Sequence, residues 1–252
     1  MADGPDNIDC MAVRQIAPGS AHVWLGTSTG VVSTEEFAVL STEERNRART
    51  LRGTAAQSYA AAHVGLRQIL AGYLGVAPAE LELGRTPCPG CADLAHGAPA
   101  VVWPQTALTF SLSRSDSCWL LAVAEGRPIG ADLETALHAD PLRIAALACT
   151  PREQALLRGL ADPAEQREFF LRCWTRKEAV VKAVGIGLGA DLRQIHACPE
   201  QRGPVEVRYG IAPGPQSWLV DEPACGPGVH AAVARTADST GSIQALRYGT
   251  VP

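Results

Sequence analysis

The segment that most constrains the fold lies between residues 162 and 189, because both its start and its end are encoded. Asp162-Pro163-Ala164-Glu165 supplies a capping aspartate, a proline at the first helical position and an acid three residues past the cap. The glycines at 185, 187 and 189 end the helical pattern. The sequence therefore predicts one long helix in the C-terminal half, and this helix carries both lysines of the chain.

On a helical wheel this segment has an apolar arc of roughly 100°. The arc contains Phe170, Cys173, Trp174, Val181 and Val184. The side chains opposite the arc, which are expected to face water, are Arg172, Arg176, Ala179 and Ala183. Lys177 lies inside the apolar arc, and Glu178 and Lys182 lie along its rim. One glutamate and two lysines therefore border the face that is expected to be buried.

The two lysines stand out because every other basic side chain except histidine is arginine, in a composition rich in Gly, Ala, Pro and Arg. A surface pair of Glu178 with Lys182 would stabilise the helix by only about 0.3 kcal/mol. Arginine would serve equally well in such a pair. Lysine differs because it is a compact charge that can approach a phosphate or release a proton. Its retention at these positions therefore favours a chemical role over helix stabilisation.

A second informative segment covers residues 128–134, whose period of two predicts a strand. One side of this strand carries Ile129, Ala131 and Leu133, and the other carries Gly130, Asp132 and Glu134. Two carboxylates on one strand face lie about 7 Å apart and repel each other unless a cation lies between them. A hard divalent cation such as Mg²⁺ suits oxygen ligands of this kind. The alternative is a solvated strand face.

Cap and turn signals divide the rest of the chain. The predicted capping boxes are Ser41–Glu44, Thr54–Gln57 and Thr150–Glu153. The second opens a helix that runs to about Tyr73 and ends at Gly75. Strands are predicted at 21–25, 107–112, 118–124, 128–134, 205–211 and 229–234, and a loop at 85–106. The turn at 125–128 is a natural boundary, and strands on both sides of it end in Ala-Val-Ala, which is a faint sign of duplication.

The composition narrows the functional classes. A net charge of −4 and a pI of about 5.9 argue against nonspecific nucleic-acid binding. No apolar run is long enough to span a membrane, and the N-terminus has no basic-then-apolar signal, so a cytoplasmic protein with no membrane partner is expected. The eight cysteines, Cys10 among them, are then expected to be free thiols that are largely buried.

Together these segments resemble the surfactin-type 4′-phosphopantetheinyl transferases. That family has a G-[IV]-D-[IVL]-E strand followed by a W-x-x-K-E-x-x-x-K helix and a G-x-G-L turn. The matching residues here are Gly130-Ala131-Asp132-Leu133-Glu134, then Trp174, Lys177, Glu178 and Lys182, then Gly185-Ile186-Gly187-Leu188. Looser matches are Glu44–Arg49 and Gly72–Gly75 to the family's first helices, and Phe110–Ser115 to its F-[NS]-x-S-H-S strand. The resemblance covers residues 40 to about 234.

The resemblance implies an α+β fold built from two similar α/β-type subdomains, related by a pseudo-twofold axis within one chain. The active site would lie at their interface. Residues 1–126 would form the N-terminal subdomain, on the nucleotide side of coenzyme A. Residues 127–252 would form the C-terminal subdomain, with the metal and the catalytic helix. A monomer is expected.

The implied reaction is the Mg²⁺-dependent transfer of 4′-phosphopantetheine from coenzyme A to a serine of an apo acyl or peptidyl carrier protein, with release of 3′,5′-ADP; Mn²⁺ is an alternative metal. The implied metal ligands are Asp132, Glu134 and Glu178. The implied catalytic residues are Glu178, as base for the carrier serine, and Lys182, at the leaving phosphate. The implied coenzyme A contacts are Arg47, Arg49, Gly97, Pro99, Ser113, Arg114, Lys177 and Lys182.

The chain departs from the family pattern at two positions. The family usually has G-[KR]-P before the S-H-S strand, whereas this chain has Gly97-Ala98-Pro99, and Arg114 replaces the usual histidine. One expected phosphate contact is therefore absent, while an arginine at 114 can still hold a phosphate. These differences motivate an alternative function, a carrier-protein-binding homologue with impaired catalysis. The intact carboxylates and Lys182 favour the enzyme.

Cys88-Pro89-Gly90-Cys91, with Asp93 and His96 after it, has part of a zinc-site pattern. A structural zinc ion takes four protein ligands, and the chain has no second C-x-x-C. The sequence therefore favours two free thiols in a Pro-Gly turn over a zinc site.

Overall fold

The computed structural model describes residues 15–28, 30–137 and 139–249, so Cys10 lies outside the described residues. The helices are α1 (Thr34–Ala38), α2 (Thr42–Thr50), α3 (Thr54–Leu74), α4 (Pro141–Ala148), α5 (Pro151–Gly159) and α6 (Pro163–Val184). The strands are β1 (Ala21–Thr27), β2 (Glu82–Arg85), β3 (Pro99–Trp103), β4 (Leu108–Ser115), β5 (Cys118–Glu125), β6 (Ile129–Glu134), β7 (Val205–Arg208), β8 (Ser217–Asp221), β9 (His230–Thr236) and β10 (Ile243–Arg247). The predicted mixed α+β class is confirmed.

The strands form two four-stranded sheets and a small hairpin of β2 and β3. The first sheet has the order β10-β1-β5-β4, and the second has the order β6-β9-β8-β7. All pairs in both sheets are antiparallel except β1 with β10, which is parallel. Each half places its first strand beside its last, as β1-β5-β4 and β6-β9-β8. This shared order supports the predicted duplication, and the pseudo-twofold axis itself stays a prediction.

The core has four layers, in which the two sheets lie between the two long helices. Strand β5 shows this arrangement because its side chains alternate between two cores. Those that pack with α3 are Trp119, Leu121 and Val123. Those that face the second sheet are Leu120, Ala122 and Ala124, which meet Ile129, Ala131 and Leu133 of β6. Helix α6 covers the opposite face of the second sheet. The predicted alternation of β6 is therefore confirmed.

Helix α6 begins and ends where the sequence predicts. The Asp162 side chain accepts a hydrogen bond from the amide of Ala164, and Gly185 ends the helix in the left-handed conformation, at φ 80°. The prediction that one face of α6 meets water is wrong. The side chains assigned to that face, all at most 6% exposed, are Arg172, Arg176, Ala179 and Ala183.

The reason is that α6 is enclosed on two sides. Ala179 and Ala183 pack against the second sheet. Arg176 lies under the segment 197–203, where its guanidinium donates to the carbonyl oxygens of Ala197, at 3.0 Å, and Cys198, at 2.7 Å. Glu222 forms an ion pair with the same guanidinium at 3.0 Å. A helical wheel assigns charged residues such as Arg172 and Arg176 to water. It contains no information about a loop that covers the helix and supplies their hydrogen-bond partners.

Three local predictions need correction. The helix α3 has no capping box at Thr54, because Gly53 is its N-cap, at φ 56°, and makes no side-chain hydrogen bond. Residues 85–106 contain the hairpin strand β3 instead of a continuous loop. Strand β10 pairs with β1 in the first sheet, so the end of the chain does not follow the predicted division at residue 126. Within the described residues, no helix is both long and apolar enough to cross a membrane.

Candidate active site

The site forms where strand β6 touches helix α6. Gly130 makes this approach close, since a Cβ atom there would lie 1.9 Å from the carbonyl oxygen of Ala179 and 2.4 Å from the amide nitrogen of Ala183. A side chain at 130 would push the helix away from the strand. Asp132 lies two residues further along the same face of β6, and Lys182 lies one residue before Ala183 on α6. The glycine therefore sets the distance between the acidic strand and the lysine helix.

Asp132 is at the centre of the site and is 4% exposed. Its Oδ1 accepts hydrogen bonds from the Lys182 ammonium at 2.6 Å and from the Ser113 hydroxyl at 2.7 Å. Its Oδ2 is buried and has no hydrogen-bond partner among the described residues. Buried carboxylate oxygens are normally satisfied, so an unpaired one points to a ligand.

Alternate serines of β4 hold β6 in place across the junction of the two sheets. Ser111 accepts the amide of Ala131 at 2.9 Å, and Ser115 donates to the Glu134 carboxylate at 2.7 Å. Ser113 bonds Asp132 between them. Strand β4 is the edge of the first sheet and β6 is the edge of the second. The hydroxyls therefore replace a backbone ladder and orient both carboxylates.

The carboxyl groups of the site share one electrostatic environment. Burial raises the pKa of Glu178, as do the charges of Asp132 and Glu134, while Lys182 lowers it. Burial likewise raises the pKa of Asp132 and of Glu134 against the opposing effect of Lys182. All three groups are therefore harder to ionise than isolated carboxyls, because burial disfavours their charged forms and the Lys182 ammonium only partly offsets this.

This donor set fits a hard divalent cation. Three carboxylates and one ammonium carry a net charge of −2 when all are ionised, and the unpaired Oδ2 of Asp132 is a ready ligand. Oxygen donors of this type suit Mg²⁺, which also keeps waters and substrate phosphates in its shell. A cation here would offset the burial that raises all three pKa values and the repulsion that adds to it at Glu134 and Glu178.

Lys177 is placed differently from the prediction. Its ammonium is fully buried and donates to Glu153 at 2.5 Å, to the carbonyl of Ala148 at 2.7 Å and to the carbonyl of Leu192 at 3.1 Å. Three protein oxygens therefore use its three hydrogens. We do not retain Lys177 as a coenzyme A contact, since it ties α6 to the ends of α4 and α5.

The predicted coenzyme A contacts of the N-terminal half fall into two groups. Arg114 stacks over the Tyr59 ring, 5.1 Å from its centroid, and Arg47 is close enough to affect the pKa values of both groups. Arg49 is exposed and bonds Asn46 at 3.4 Å. Arg114 and Arg47 therefore present neighbouring positive charge, whereas Arg49 is not linked to this pair by any described contact.

The Gly97-Ala98-Pro99 segment lies against the end of α6. A Cβ at Gly185 would be 3.4 Å from the Cβ of Ala98, which is an ordinary contact distance. A Cβ at Gly97 would lie 1.6 Å from the carbonyl oxygen of Thr86, so glycine is required there. Pro99 begins β3 and is exposed. This segment and Lys182 are therefore brought to the same end of helix α6.

Sequence reasoning missed several residues that shape the site. Ser111 and Ser115 were quoted only as part of a motif, although serine at every second position of a strand is a readable signal for a polar face. Glu153 was identified only as a capping residue, yet it also bonds Lys177. Tyr59, under Arg114, carried no signal in the sequence.

Comparison with known proteins shows what part of the chain is similar to. Residues 128–234 match the model of the 4′-phosphopantetheinyl transferase superfamily. The chain is 36% identical over 150 residues to the 4′-phosphopantetheinyl transferase HetI of Nostoc sp., which covers 58% of this chain and 59% of that protein. It is 31% identical over 172 residues to a phosphopantetheinyl transferase of Thraustochytrium sp., which covers 62% of this chain and 56% of that protein.

Both matches span less than two thirds of the relative's own length. A third similarity is to an L-aminoadipate-semialdehyde dehydrogenase-phosphopantetheinyl transferase of Eremothecium gossypii, 34% identical over 115 residues, which are 41% of this chain and 42% of that protein. The segment matched by the family model contains Asp132, Glu134, Glu178 and Lys182. The carboxylate strand and the lysine helix both lie within residues 128–234, the segment that is similar to the 4′-phosphopantetheinyl transferase superfamily.

Proposed function

We propose that this protein transfers 4′-phosphopantetheine from coenzyme A to a serine of an apo acyl or peptidyl carrier protein, in a Mg²⁺-dependent reaction that releases 3′,5′-ADP. The observation that carries the proposal is the group formed by Asp132, Glu134, Glu178 and Lys182. This group combines excess buried negative charge with one accessible ammonium, on elements whose sequences match the family.

Asp132, Glu134 and Glu178 would hold the metal through their carboxylate oxygens. When bound, a divalent cation supplies Lewis-acid neutralisation of the pyrophosphate charge. Mn²⁺ shares the preference for oxygen ligands and is the alternative metal. The serines of β4 fix the carboxylates of β6 before any metal arrives, so the ligand positions are preorganised.

Glu178 is the base in this proposal. The serine hydroxyl of the carrier attacks the phosphorus that bears the pantetheine arm, and its proton passes to the Glu178 carboxylate, directly or through water. The bond from that phosphorus to the bridging oxygen breaks, and the electron pair leaves with 3′,5′-ADP. Burial raises the pKa of Glu178 in the metal-free site, and its carboxylate is a proton acceptor of the type that general-base catalysis uses.

Lys182 acts on the leaving group. Its side chain is 30% exposed, so the ammonium can reach a bound phosphate as well as Asp132. It would place positive charge, and a proton, at the oxygen on which negative charge develops. The other described lysine, Lys177, is used structurally and takes no part.

Coenzyme A would lie along the junction of the two halves. Arg114 and Arg47 offer positive charge on one side, and the Gly97-Ala98-Pro99 segment lies beside the end of α6 on the other. Arg49 stays in the proposal as a peripheral phosphate contact, and Ser113 as an indirect one through Asp132. A monomer is proposed as the active unit.

The test is a mass measurement on an apo carrier protein mixed with the enzyme, coenzyme A and Mg²⁺. A gain of about 340 Da, the mass of the phosphopantetheine group, is expected and should need both coenzyme A and metal. Asp132→Asn should abolish the gain. Asp221→Asn is a matched control, because Asp221 also pairs with a cation, Arg235 at 3.0 Å, but lies on β8.

The same assay separates the alternative, a carrier-binding homologue with impaired catalysis. That function is motivated by Ala98 and by Arg114 in place of the family histidine. It predicts a stable complex with the carrier and no mass gain at any coenzyme A concentration. A panel of acyl and peptidyl carriers would show which class is modified.

A further inference from the structure

The loop between β2 and β3, residues 86–98, belongs to the first half in sequence but packs on the second. Cys88 is 5% exposed and belongs to the apolar cluster of Ile186 and the second sheet. A Cβ at Gly90 would lie 3.6 Å from Ile211, and a Cβ at Gly187 would lie 3.2 Å from the carbonyl oxygen of His96. The loop therefore crosses the junction of the halves, and its conformation there requires interactions that hold it.

The Cys88 sulfur lies inside a tight turn of the loop. The amides of Gly90 and Cys91 donate hydrogen bonds to it, and the Cys91 side chain is also a hydrogen-bonding neighbour. Amides of the second and third residues after a cysteine can reach its sulfur only when the chain turns tightly around it. Such amides also stabilise a metal-bound thiolate.

Two exposed side chains of the loop, Cys91 and His96, lie next to each other, and the Asp93 carboxylate accepts the amide of Ala95 at 2.8 Å. The Cys91 sulfur lies 3.4 Å from Nδ1 of His96. The Asp93 carbonyl accepts the amides of Cys88, at 3.1 Å, and His96, at 3.4 Å, which draws the two ends of the segment together. The Ala92 amide donates to the Cys88 carbonyl at 2.8 Å, and Ala92 adopts a positive φ of 61° that alanine disfavours.

We propose that Cys88, Cys91 and His96 bind a structural zinc ion, with the Asp93 carboxylate as the fourth ligand. Two thiolates and an imidazole select a borderline-soft metal such as Zn²⁺ over Mg²⁺. Cys91 and His96 are exposed, so their side chains can turn onto the ion without repacking the core. The absence of a second C-x-x-C argued against zinc, but in this proposal Asp93 and His96 supply the two ligands that a second motif would give.

Another cluster of potential ligands lies in the interior and serves as the rival location. The ligand atoms of Cys149, Glu153 and Cys173 lie within 4.8 Å of one another. However, the Lys177 ammonium is 2.5 Å from Glu153 and already neutralises this carboxylate. A zinc ion would be repelled there and would have to displace a fully buried cation, so this cluster is not the site we assign.

The proposed ion would fix the segment that leads directly into Gly97-Ala98-Pro99. Metal binding deprotonates two thiols and closes a loop of nine residues, 88–96. The shape of the loop, and thus the position of Ala98 against Gly185, would depend on the ion. The zinc site does not depend on the proposed transferase activity, since its test reads metal and thiolate ligation alone.

The experiment uses the full-length chain, reduced and stripped of metal, with excess Mg²⁺ to fill the carboxylate site. One Zn²⁺ per chain should be retained after gel filtration, and Co²⁺ should give the near-ultraviolet charge-transfer band of thiolate ligation. Cys91→Ser and His96→Ala alter exposed side chains and should abolish or strongly weaken both signals while the folded state is kept. Cys118→Ser is the matched control and should leave both signals unchanged.

Three results would overturn the proposal. The first is that the reduced wild-type chain retains no Zn²⁺ and gives no thiolate band. The second is that the band survives in Cys91→Ser with the wild-type affinity. The third is that Cys149→Ser removes the band while Cys91→Ser keeps it, which would assign the metal to the interior cluster. A Zn²⁺-induced rise of the thermal midpoint in the wild type that is lost in Cys91→Ser would support the site independently.

Discussion

The ammonium of Lys182 lies 2.6 Å from Oδ1 of Asp132, while Oδ2 of the same carboxylate is buried without a hydrogen-bond partner among the described residues. One oxygen thus meets the cation of the protein, and the other is free for a cation from solution. The lysine and a metal can therefore share Asp132 without competing for one atom. This arrangement ties the proposed leaving-group residue to the proposed metal site.

Lys182→Arg should lower turnover by about 100-fold, in the range seen when a general acid or a preorganised charge is lost. The planar guanidinium keeps the charge and the helix propensity but cannot occupy the same point or readily release a proton. Turnover is measured by carrier mass shift, and the thermal midpoint should barely move. Arg158→Lys on the exposed face of α5 makes the reverse exchange and should be silent. If turnover of Lys182→Arg is within about threefold of wild type, the leaving-group role is wrong and Lys182 only pairs with Glu178 on the helix surface.

Stabilisation by Mg²⁺ should depend on pH. Because the pKa values of Asp132, Glu134 and Glu178 are raised, the metal-free folded protein takes up protons more readily than the unfolded chain, and rising pH costs it stability. Mg²⁺ binds the ionised groups, so its stabilising effect should grow as pH rises. Thermal midpoints with and without Mg²⁺ between pH 5 and 8 test this. Glu178→Gln should flatten the dependence, and an equal shift at all pH values in the wild type would contradict it.

Glu44 should make folding sensitive to acid. Burial raises the pKa of Glu44, but hydrogen bonds from His63 and the Ser41 amide, together with the charge of Arg67, lower it from 4.5 to about 2. A lowered pKa stabilises the fold above pH 4.5, and this contribution, on the order of 3 kcal/mol, is lost as pH falls towards 2. Urea unfolding of Glu44→Gln should show reduced stability at pH 7 and a shrinking difference from wild type below pH 4.5.

The control for this measurement is Glu36→Gln. Glu36 closes a capping box with Ser33, as Glu44 does with Ser41, but it is exposed. Both substitutions therefore alter a helix-capping glutamate, but only Glu44→Gln also alters buried contacts. Equal losses in the two variants would assign the effect to capping.

The Lys177–Glu153 pair should be structural. Lys177→Met leaves Glu153 buried without its cation, which should destabilise the fold by about 3–5 kcal/mol. Adding Glu153→Gln should recover part of the loss, because the uncompensated charge is removed. Chemical unfolding of the single and double variants measures both effects. If Lys177→Met unfolds like the wild type but has a higher KM for coenzyme A, Lys177 is a coenzyme A contact and the structural role is wrong.

Ala98→Lys should lower the KM for coenzyme A. Ala98 packs beside Gly185 at the end of helix α6, and a charge-assisted hydrogen bond from a lysine there would contribute about 1–3 kcal/mol. The gain should appear in KM more than in kcat. Ala95→Lys adds the same charge to an exposed position of the same loop and should have a smaller effect. If both variants lower KM equally, general attraction of the anion explains the result.

The sequence predicted those parts of the fold whose signals are local. The caps at Asp162 and Thr150, the glycine that ends α6 and the alternation of β6 depend on neighbouring residues, and the structure has them as expected. The alternation of β6 was predicted correctly, but helix α6 meets this strand through Ala179 and Ala183, which the wheel assigned to water. Lys182 contacts Asp132 at this junction.

What the sequence did not predict depends on distant partners. The helix pattern places Lys177 inside the apolar arc but does not show its partner there, which is Glu153, 24 residues earlier in the chain. Arg176 was assigned to water because its partners come from a loop after the helix. Strand β8 was missed since its period-two signal, Ser217–Asp221, is short.

Strand β10 has a consequence for how the chain reaches its folded state. Its partner β1 lies at the other end of the described chain, with more than two hundred residues between them. During synthesis the first sheet therefore stays one strand short until β10 has left the ribosome, and Ala21–Leu25 present an open edge in the meantime. Cutting the chain at Gly126 would not yield two independent halves. The first piece would lack β10, and the second piece would carry β10 without its partner β1. Strand β10 therefore links the two halves of the chain. In a circular permutant that joins β10 to β1 and opens the turn at Gly126, β10 should cover the open edge of β1 early in folding.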